Sequence, residues 1–171
     1  LALAESGQIA LDMAPVDLGR LVPRVIARFA PQAQAQGVAL EMAQPGDVPS
    51  IHGDAQRLEQ VLNNLLSNSL RHTPAGGRVT LGLAASGDRV RIMVQDTGEG
   101  IPADDLPHIF ERFYRSDRAR QRGDGHTGLG LAIARELVRA HGGDISAASL
   151  HGQGTTLTID LPASPAAPAS L

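Results

Sequence analysis

The 171-residue chain contains no cysteine, no tryptophan and no lysine, and it has only three Phe and one Tyr. Without cysteine it can form no disulfide, zinc–thiolate site or cysteine nucleophile. Without lysine it can have no Schiff-base catalysis and no Walker-type phosphate loop. All 15 basic residues are Arg, and the formal net charge is −3. A surface that stacks nucleic-acid bases needs aromatic side chains and positive charge, and the chain has little of either, so no nucleic-acid partner is expected. A GC-rich coding bias also explains the exclusive use of Arg.

Long hydrophobic runs are missing as well. No stretch of about 18 apolar residues occurs, and the first residues lack the basic and apolar regions of a signal peptide. The length suits a single domain, and the start without Met suggests a piece of a longer protein. We therefore expect a monomeric chain that does not contact a membrane and lies in the cytoplasm, although the full-length protein can be membrane-anchored.

Hydrophobic periodicity predicts an α+β sandwich, in which one mixed, mostly antiparallel sheet of about five strands carries three main helices on one face. Asp17 and Asp54 are placed to cap the first two helices. The predicted helices span about 18–36, 55–72 and 129–141. The predicted strands span about 38–42, 48–52, 78–84, 89–95, 144–149 and 155–161; the second returns after a turn at 45–47, and the last four form two hairpins.

The predicted domain spans residues 17–162. Residues 1–16 are expected to be the end of a helix followed by a linker, and the Ala/Pro/Ser-rich residues 163–171 are expected to be disordered. Residues 96–127 form a long, polar stretch that is punctuated by glycine, and loops of this length in compact domains are typically functional or mobile.

The second helix carries an unusual polar stripe. Its side chains at helical spacing are Gln60, Asn64, Asn68 and Arg71, whereas an exposed helix face normally carries charged residues. Amide oxygens can ligate Mg²⁺ and amide N–H groups can donate to phosphate, and neither repels a polyanion. The stripe is therefore either a site for a metal and a phosphate or an ordinary polar face.

Two glycine-containing segments follow. Asp96-Thr97-Gly98-Glu99-Gly100-Ile101-Pro102 comes directly after a predicted strand, where glycines allow a planar ligand to approach and an acceptor-only Asp suits an exocyclic amine such as that of adenine. Gly125-His126-Thr127-Gly128-Leu129-Gly130-Leu131 opens the third helix and can form an anion site. Alternatively, the first is a turn with a capping Asp and the second a glycine-rich hinge. No strand immediately precedes the second segment, which argues against a dinucleotide fingerprint.

In this order, the segments resemble the catalytic, ATP-binding domain of two-component sensor histidine kinases, which has the Bergerat fold of the HATPase_c superfamily. The resemblance covers about residues 17–162 and implies a flexible ATP lid at about 103–127. The matching motifs are the N box at 60–69, the G1 box at 96–102, the F box at 109–114, the G2 box at 128–131 and a final glycine motif at 152–156.

The resemblance implies a site for ATP and Mg²⁺. Asn68 would be the Mg²⁺ ligand and, with Arg71 in the family's usual basic position, would be catalytic, while Asp96 would bind the adenine amine. In the lid, Phe113 would help to pin the segment, and His126 departs from a common glycine. The other implied nucleotide-binding residues are Asn64, His72, Gly98, Gly100, Ile101, Phe110, Thr127, Gly128, Leu129, Gly130 and Thr155. The lid arginines, which either reach the γ-phosphate or are solvated, are Arg115, Arg118, Arg120 and Arg122.

The implied activity is that of a protein-histidine kinase in a phosphorelay. Its partners would be the dimerisation and phosphoacceptor domain of the same kinase and the receiver domain of a response regulator. No His precedes His52, so this chain is not expected to phosphorylate itself. The alternatives are an ATP-hydrolysing relative of the gyrase, heat-shock and mismatch-repair type, or a degenerate nucleotide-binding scaffold. Hydrolysing relatives carry a Glu where this chain has Asn64, which favours the kinase.

Overall fold

The computed structural model describes residues 9–43, 46–116 and 126–164, and these form a two-layer α/β sandwich. One layer is a five-stranded sheet, and the other consists of three helices packed on one face of the sheet. The helices are α1 (Leu18–Gln36), α2 (Ala55–His72) and α3 (Gly130–Ala140). The strands are β1 (Ala14–Val16), β2 (Ala39–Met42), β3 (Ile51–Gly53), β4 (Arg78–Ser86), β5 (Arg89–Asp96), β6 (Asp144–Leu150) and β7 (Gly154–Pro162).

The core forms where the apolar stripes of the helices meet the alternating apolar residues of the sheet. In β5, the side chains of Val90, Ile92 and Val94 are buried and alternate with more exposed neighbours, as expected of a sheet covered on one face. Along α2, apolar residues recur every three or four positions and are also buried. The remaining stripe of α2 is therefore left to face away from the core, and it carries the amides and Arg71.

The main sheet is mixed, with strand order β2-β4-β5-β7-β6. The β2–β4 pair is parallel, and the other three pairs are antiparallel. The two predicted hairpins, β4–β5 and β6–β7, are both present, and β7 inserts between β5 and β6. This pairing brings Asp96, at the end of β5, opposite Thr155 near the start of β7. The predicted fold class is confirmed.

The predicted course of the chain near β3 was wrong. Residues 48–52 do not return alongside β2; instead, Ile51–Gly53 pairs with Ala14–Val16 in a separate two-stranded ribbon. Part of the predicted linker is thus a strand, because Ala14–Val16 supplies the antiparallel partner of β3. Residues 9–13 are not helical, and residues 1–8 and 44–45 lie outside the described part of the chain.

At the other terminus, β7 ends at Pro162, the predicted boundary, and two main-chain hydrogen bonds follow it. The N–H of Ala163 donates to Asp88 O at 2.8 Å, and that of Ser164 to Ser50 O at 3.0 Å. Residues 165–171, the rest of the predicted tail, lie outside the described residues. Within the ranges that the structure describes, no helix is both long and apolar enough to cross a bilayer.

A buried polar cluster joins the ribbon to two helices. Asp54 Oδ1 accepts from the N–H of Arg57 in the first turn of α2, and Asp54 Oδ2 accepts from the N–H of Asp12. The Asp54 N–H donates to His141 Nε2 at 3.0 Å, and His141 Nδ1 donates to Leu137 O at 2.7 Å. His141 is therefore a structural residue, as predicted, and holds the start of α2 against the end of α3.

Replacing Asp54 with Ala should lower the free energy of unfolding by about 1–2 kcal/mol at neutral pH, because a helix cap and a tertiary hydrogen bond are lost. Burial raises the pKa of Asp54, but hydrogen bonds from the backbone N–H groups of Asp12, Arg57 and Gln56 and the charge of Arg57 outweigh it and lower the pKa overall. The carboxylate's contribution is therefore present above the ordinary pKa of 3.8 and is lost as the pH falls through the lowered folded value. Urea unfolding at a series of pH values measures this difference.

Asp17 provides a matched control. It stands at the same position before α1, but its side chain makes no capping hydrogen bond, and its contact with Arg20 is exposed. The predicted cap by the Asp17 side chain is thus wrong, and Asp17→Ala should change stability by only a few tenths of a kcal/mol. Equal losses in the two variants would show that Asp54 contributes nothing beyond helix propensity.

Candidate functional site

One cavity of about 310 Å³ is lined by Asn64, Asn68 and Arg71 of the polar stripe and by the two glycine segments. Gln60, the first residue of the stripe, lines a separate concavity instead. The walls of the first cavity come from the second half of α2, the segment after β5, the start of α3 and the turn between β6 and β7. This volume is at the lower end of the range typical of small-molecule sites. The residues that line it are Asn64, Ser67, Asn68, Arg71, His72, Asp96, Glu99, Gly100, Ile101, Pro102, Asp105, Ile109, Tyr114, Arg115, Ser116, His126, Thr127, Gly128, Gly130, Leu131, His151 and Thr155.

Asp96 lies at the buried end of this cavity, with only 5% of its surface exposed. Its Oδ1 accepts from the backbone N–H groups of Gly98 at 2.9 Å and Thr155 at 3.2 Å. Burial raises the pKa of the Asp96 carboxyl, and these two amides, the neighbouring Ser69 hydroxyl and the charge of His72 oppose the rise. With Oδ1 engaged in this way, the carboxylate has acceptor capacity left for a hydrogen-bond donor that enters the cavity.

Backbone segments approach one another closely around Asp96, which explains two of the glycines. A Cβ on Gly98 would lie 2.4 Å from His72 O. Gly100 has φ +71°, and a Cβ there would lie 2.2 Å from Leu150 O. Any other residue would therefore push the segment 98–100 away from α2 or from the β6–β7 turn. The two glycines set the distance between the walls of the cavity.

Amides and a guanidinium group on α2 also line the cavity. The Asn64 side chain donates to Gly130 O at 3.0 Å, so it ties α2 to the first residue of α3. The Asn68 amide, one turn further along, lines the cavity and makes no side-chain hydrogen bond within the described part of the protein. Arg71, three residues later on the same helix, lines it as well. The cavity thus offers an amide oxygen and a cation, the groups that a metal–phosphate site requires.

The segment 109–116 closes one side of the cavity and is fastened at several points. The Tyr114 hydroxyl donates to the Asp105 carboxylate, and the Tyr114 ring stacks on His108 with centroids 5.3 Å apart. The Phe113 N–H donates to Gly128 O at 3.1 Å, and Phe113 has φ +63°, which is strained for a residue with a side chain. These contacts hold the start of the predicted lid against the glycine segment before α3.

Most of the predicted site residues line this cavity, and three do not: Gly98, Phe110 and Leu129. Gly98 does not line the cavity, but its backbone N–H donates to Oδ1 of Asp96, which does. Phe110 packs against the core, and its ring centroid lies 5.8 Å from the Arg135 guanidinium carbon. Leu129 precedes the first residue of α3. The roles of all these residues remain predictions, and Arg118, Arg120 and Arg122 lie outside the described residues.

Sequence reasoning missed several residues of the cavity wall. Glu99 lies inside the glycine motif after β5, but the sequence pattern predicted no binding role for its carboxylate. Asp105 and Tyr114 meet only because the chain turns between them. His151 was interpreted as structural, yet it lines the cavity from the β6–β7 turn. Its position next to the final glycine motif was the only available signal.

A second concavity, of about 500 Å³, lies beside the first half of α2. Its charged lining groups have partners: Arg24 contacts Glu59, and Arg57 donates to Gln60 at 3.1 Å. The smaller cavity is the functional candidate, because it contains the buried carboxylate, the amides and the glycine segments.

Comparison with known proteins identifies the class. A family profile described as "Histidine kinase-, DNA gyrase B-, and HSP90-like ATPase" matches residues 53–165. This chain belongs to that ATPase family. The relatives with which it aligns include sensor histidine kinases, consistent with a catalytic domain of the protein-histidine kinase type, and the predicted resemblance is confirmed.

Three particular proteins illustrate the similarity. "Signal transduction histidine-protein kinase BaeS" of Escherichia coli (strain K12) is 38% identical over 162 residues, which cover 95% of this chain and 34% of BaeS. The structure of full-length ShkA in complex with AMPPNP is 36% identical with a TM-score of 0.82, and the match covers 94% of this chain and 33% of ShkA. Histidine kinase ThkA, solved in complex with the response regulator protein TrrA, shares the fold at 23% identity and a TM-score of 0.77, over 94% of this chain and 45% of ThkA. The chain thus spans about a third of the length of BaeS and ShkA.

Proposed function

We propose that this chain binds Mg-ATP and donates the γ-phosphoryl group to a histidine on a separate dimerisation domain, in a phosphorelay that continues to a response regulator. The observation that carries the proposal is the cavity itself, which is lined by a buried carboxylate, an amide and a guanidinium group. The carboxylate matches the amine of an adenine base, and the amide and the guanidinium group match a metal-bound triphosphate, so we call the part lined by Asn68 and Arg71 the phosphate end. The AMPPNP complex of ShkA supports the same assignment.

The residues at the phosphate end fit a magnesium ion. Asn68 offers an amide oxygen that no described residue engages, and amide oxygens are ligands that Mg²⁺ accepts. The ion, when bound, would neutralise charge on the phosphate oxygens. Arg71 would donate to phosphate, and the N–H groups at the start of α3 would add donors at a helix N-terminus. Phosphoryl transfer depends mainly on such positioning and charge neutralisation.

The arrangement of carboxylates favours transfer to an acceptor over hydrolysis. Three carboxylates line the cavity, and each is engaged: Asp96 accepts from backbone amides, Glu99 contacts His72, and Asp105 accepts from Tyr114. Asn64, at the position where hydrolysing relatives carry a Glu, uses its amide N–H to hold α3. No described carboxylate is therefore placed as a general base for water at the phosphate end.

The decisive experiment mixes this chain with a separate helical hairpin that carries the kinase's own acceptor histidine, in the presence of Mg²⁺ and ATP labelled on the γ-phosphate. We expect label on the hairpin, in an acid-labile and base-stable bond to a histidine nitrogen, as the bond to the β-phosphate oxygen breaks and ADP leaves. The chain alone should acquire no stable label. Rapid phosphate release without label on the hairpin would favour the hydrolase, and a chain that binds no ATP would favour the scaffold.

A further inference from the structure

We propose that Glu99 is a positioning residue of the nucleotide site, which acts by fixing the orientation of the His72 ring in the cavity wall. This inference rests on the proposed function, because the ligand in question is the purine nucleotide. Neither the motif pattern nor the family resemblance gave Glu99 a role.

The contact between the two side chains is direct. His72 Nδ1 lies 3.2 Å from Glu99 Oε1, and each side chain is about one-third exposed at the mouth of the cavity. A carboxylate can only accept a hydrogen bond, so His72 Nδ1 must carry the proton. The contact therefore selects one tautomer of the neutral ring and restrains rotation about the bond that joins the ring to Cβ.

The backbone around the pair makes this restraint effective. The Glu99 N–H donates to His72 O at 3.3 Å, so Glu99 is attached to the last residue of α2. Its own carbonyl accepts from the N–H of Gly152 in the β6–β7 turn at 2.6 Å. Glu99 is thus held on both sides by main-chain bonds, and its carboxylate reaches His72 from a fixed position.

The orientation of the His72 ring matters because His72 and Glu99 line the part of the cavity proposed to hold the adenine base. His72 and Glu99 both line the cavity beside Asp96, the proposed anchor of the adenine amine. Burial raises the pKa of Asp96, and the charge of His72 is among the influences that oppose this rise, so the imidazole is within electrostatic reach of the anchor. A ring fixed at this wall can lie against the face of a planar ligand, whereas a rotating ring loses that contact for part of the time.

The first test is spectroscopic and needs no ligand. At a pH where His72 is neutral, the ring ¹⁵N shifts of the parent chain should show the tautomer with the proton on Nδ1. In Glu99→Ala, the shifts should move toward the mixture found in a free histidine. Unchanged shifts would overturn the proposal, because the contact would then not control the ring.

The second test is a double-mutant cycle on ATP affinity, measured by calorimetry. Glu99→Ala should weaken binding about threefold to fivefold, the scale of one partly exposed hydrogen bond. His72→Ala should weaken it about tenfold, and in that background Glu99→Ala should have no further effect, because Glu99 acts through the ring. Glu41→Ala, which removes a carboxylate that pairs with Arg78 on the sheet, is the control and should bind as the parent does.

The outcomes separate this inference from the proposed function. If the parent chain binds no ATP, both fail. If the parent binds ATP and Glu99→Ala binds it equally well, only the role of Glu99 is refuted. Full additivity of the two substitutions would also refute it, because Glu99 would then contact the ligand or the fold independently of His72.

Discussion

Replacement of Asp96 with Asn should weaken ATP binding about 100-fold, with little loss of folding stability. The Asp96 Oδ1 accepts from two backbone amides, and the amide oxygen of the replacement can take over both bonds. Its NH₂ group then stands where the second carboxylate oxygen was, so that a donor faces the donating amine of adenine. Isothermal titration calorimetry with ATP measures the loss.

The same reasoning predicts that Asp96→Asn changes which nucleobase the cavity prefers. A nucleotide with a keto group in place of the exocyclic amine, such as inosine triphosphate, should bind the variant better than it binds the parent. Asp160→Asn is a suitable control: Asp160 lies on β7, but it pairs with Arg91 and does not line the cavity. An Asp96→Asn variant that binds ATP as well as the parent would show that the base does not bind at this carboxylate.

The raised pKa of Asp96 adds a pH dependence to the affinity of the parent. Burial, the main cause of the rise, disfavours the carboxylate, and the protonated form would present a hydrogen to the adenine amine. ATP affinity should therefore decrease as the pH falls through the raised pKa, which lies above the ordinary value of 3.8. The calorimetric series should be extended to mildly acidic pH, as far as the chain remains folded.

Replacement of Asn68 with Ala should slow phosphoryl transfer to the acceptor histidine by about 100-fold to 1000-fold. Asn68 is the proposed oxygen ligand of the metal, and without it the ion would be held less firmly against the phosphate oxygens. The loss of affinity should be confined to the Mg²⁺-dependent part. ATP binding measured with a chelator present should hardly differ between the parent and the variant, whereas binding with Mg²⁺ should differ clearly.

Asn63 offers a matched control on the same helix. It is the same residue type, so Asn63→Ala brings the same gain in helix propensity. Its Oδ1 is buried without a hydrogen-bond partner among the described residues, and it lies outside the cavity wall. Asn63→Ala should transfer phosphate at the parental rate. Equal effects of the two substitutions, or a loss that persists in the chelator, would contradict a metal-ligand role for Asn68.

Local patterns were sufficient to predict most of the secondary structure. The helices α1 and α2 match their predicted bounds, since the apolar spacing along each is regular. The Asp54 cap also marks the start of α2, and Gly37 ends α1. The β4–β5 and β6–β7 hairpins were predictable for a similar reason: short turns join alternating segments. The failure concerned residues 48–52, because a three-residue strand carries no information about its partner.

The amino-acid sequence by itself determined the class of the protein and the chemical groups of its site: the amides and Arg71 on one face of α2, the Asp at the end of β5, and glycines where chains approach closely. These follow from periodicity and residue chemistry, which act over a few positions. Only the tertiary structure decided which of these groups share a cavity. The order of strands places Thr155 beside Asp96. The path of the segment after β5 places Phe110 against the core and brings Glu99 to His72. Such contacts join residues far apart in the chain, and they depend on packing that no local pattern encodes.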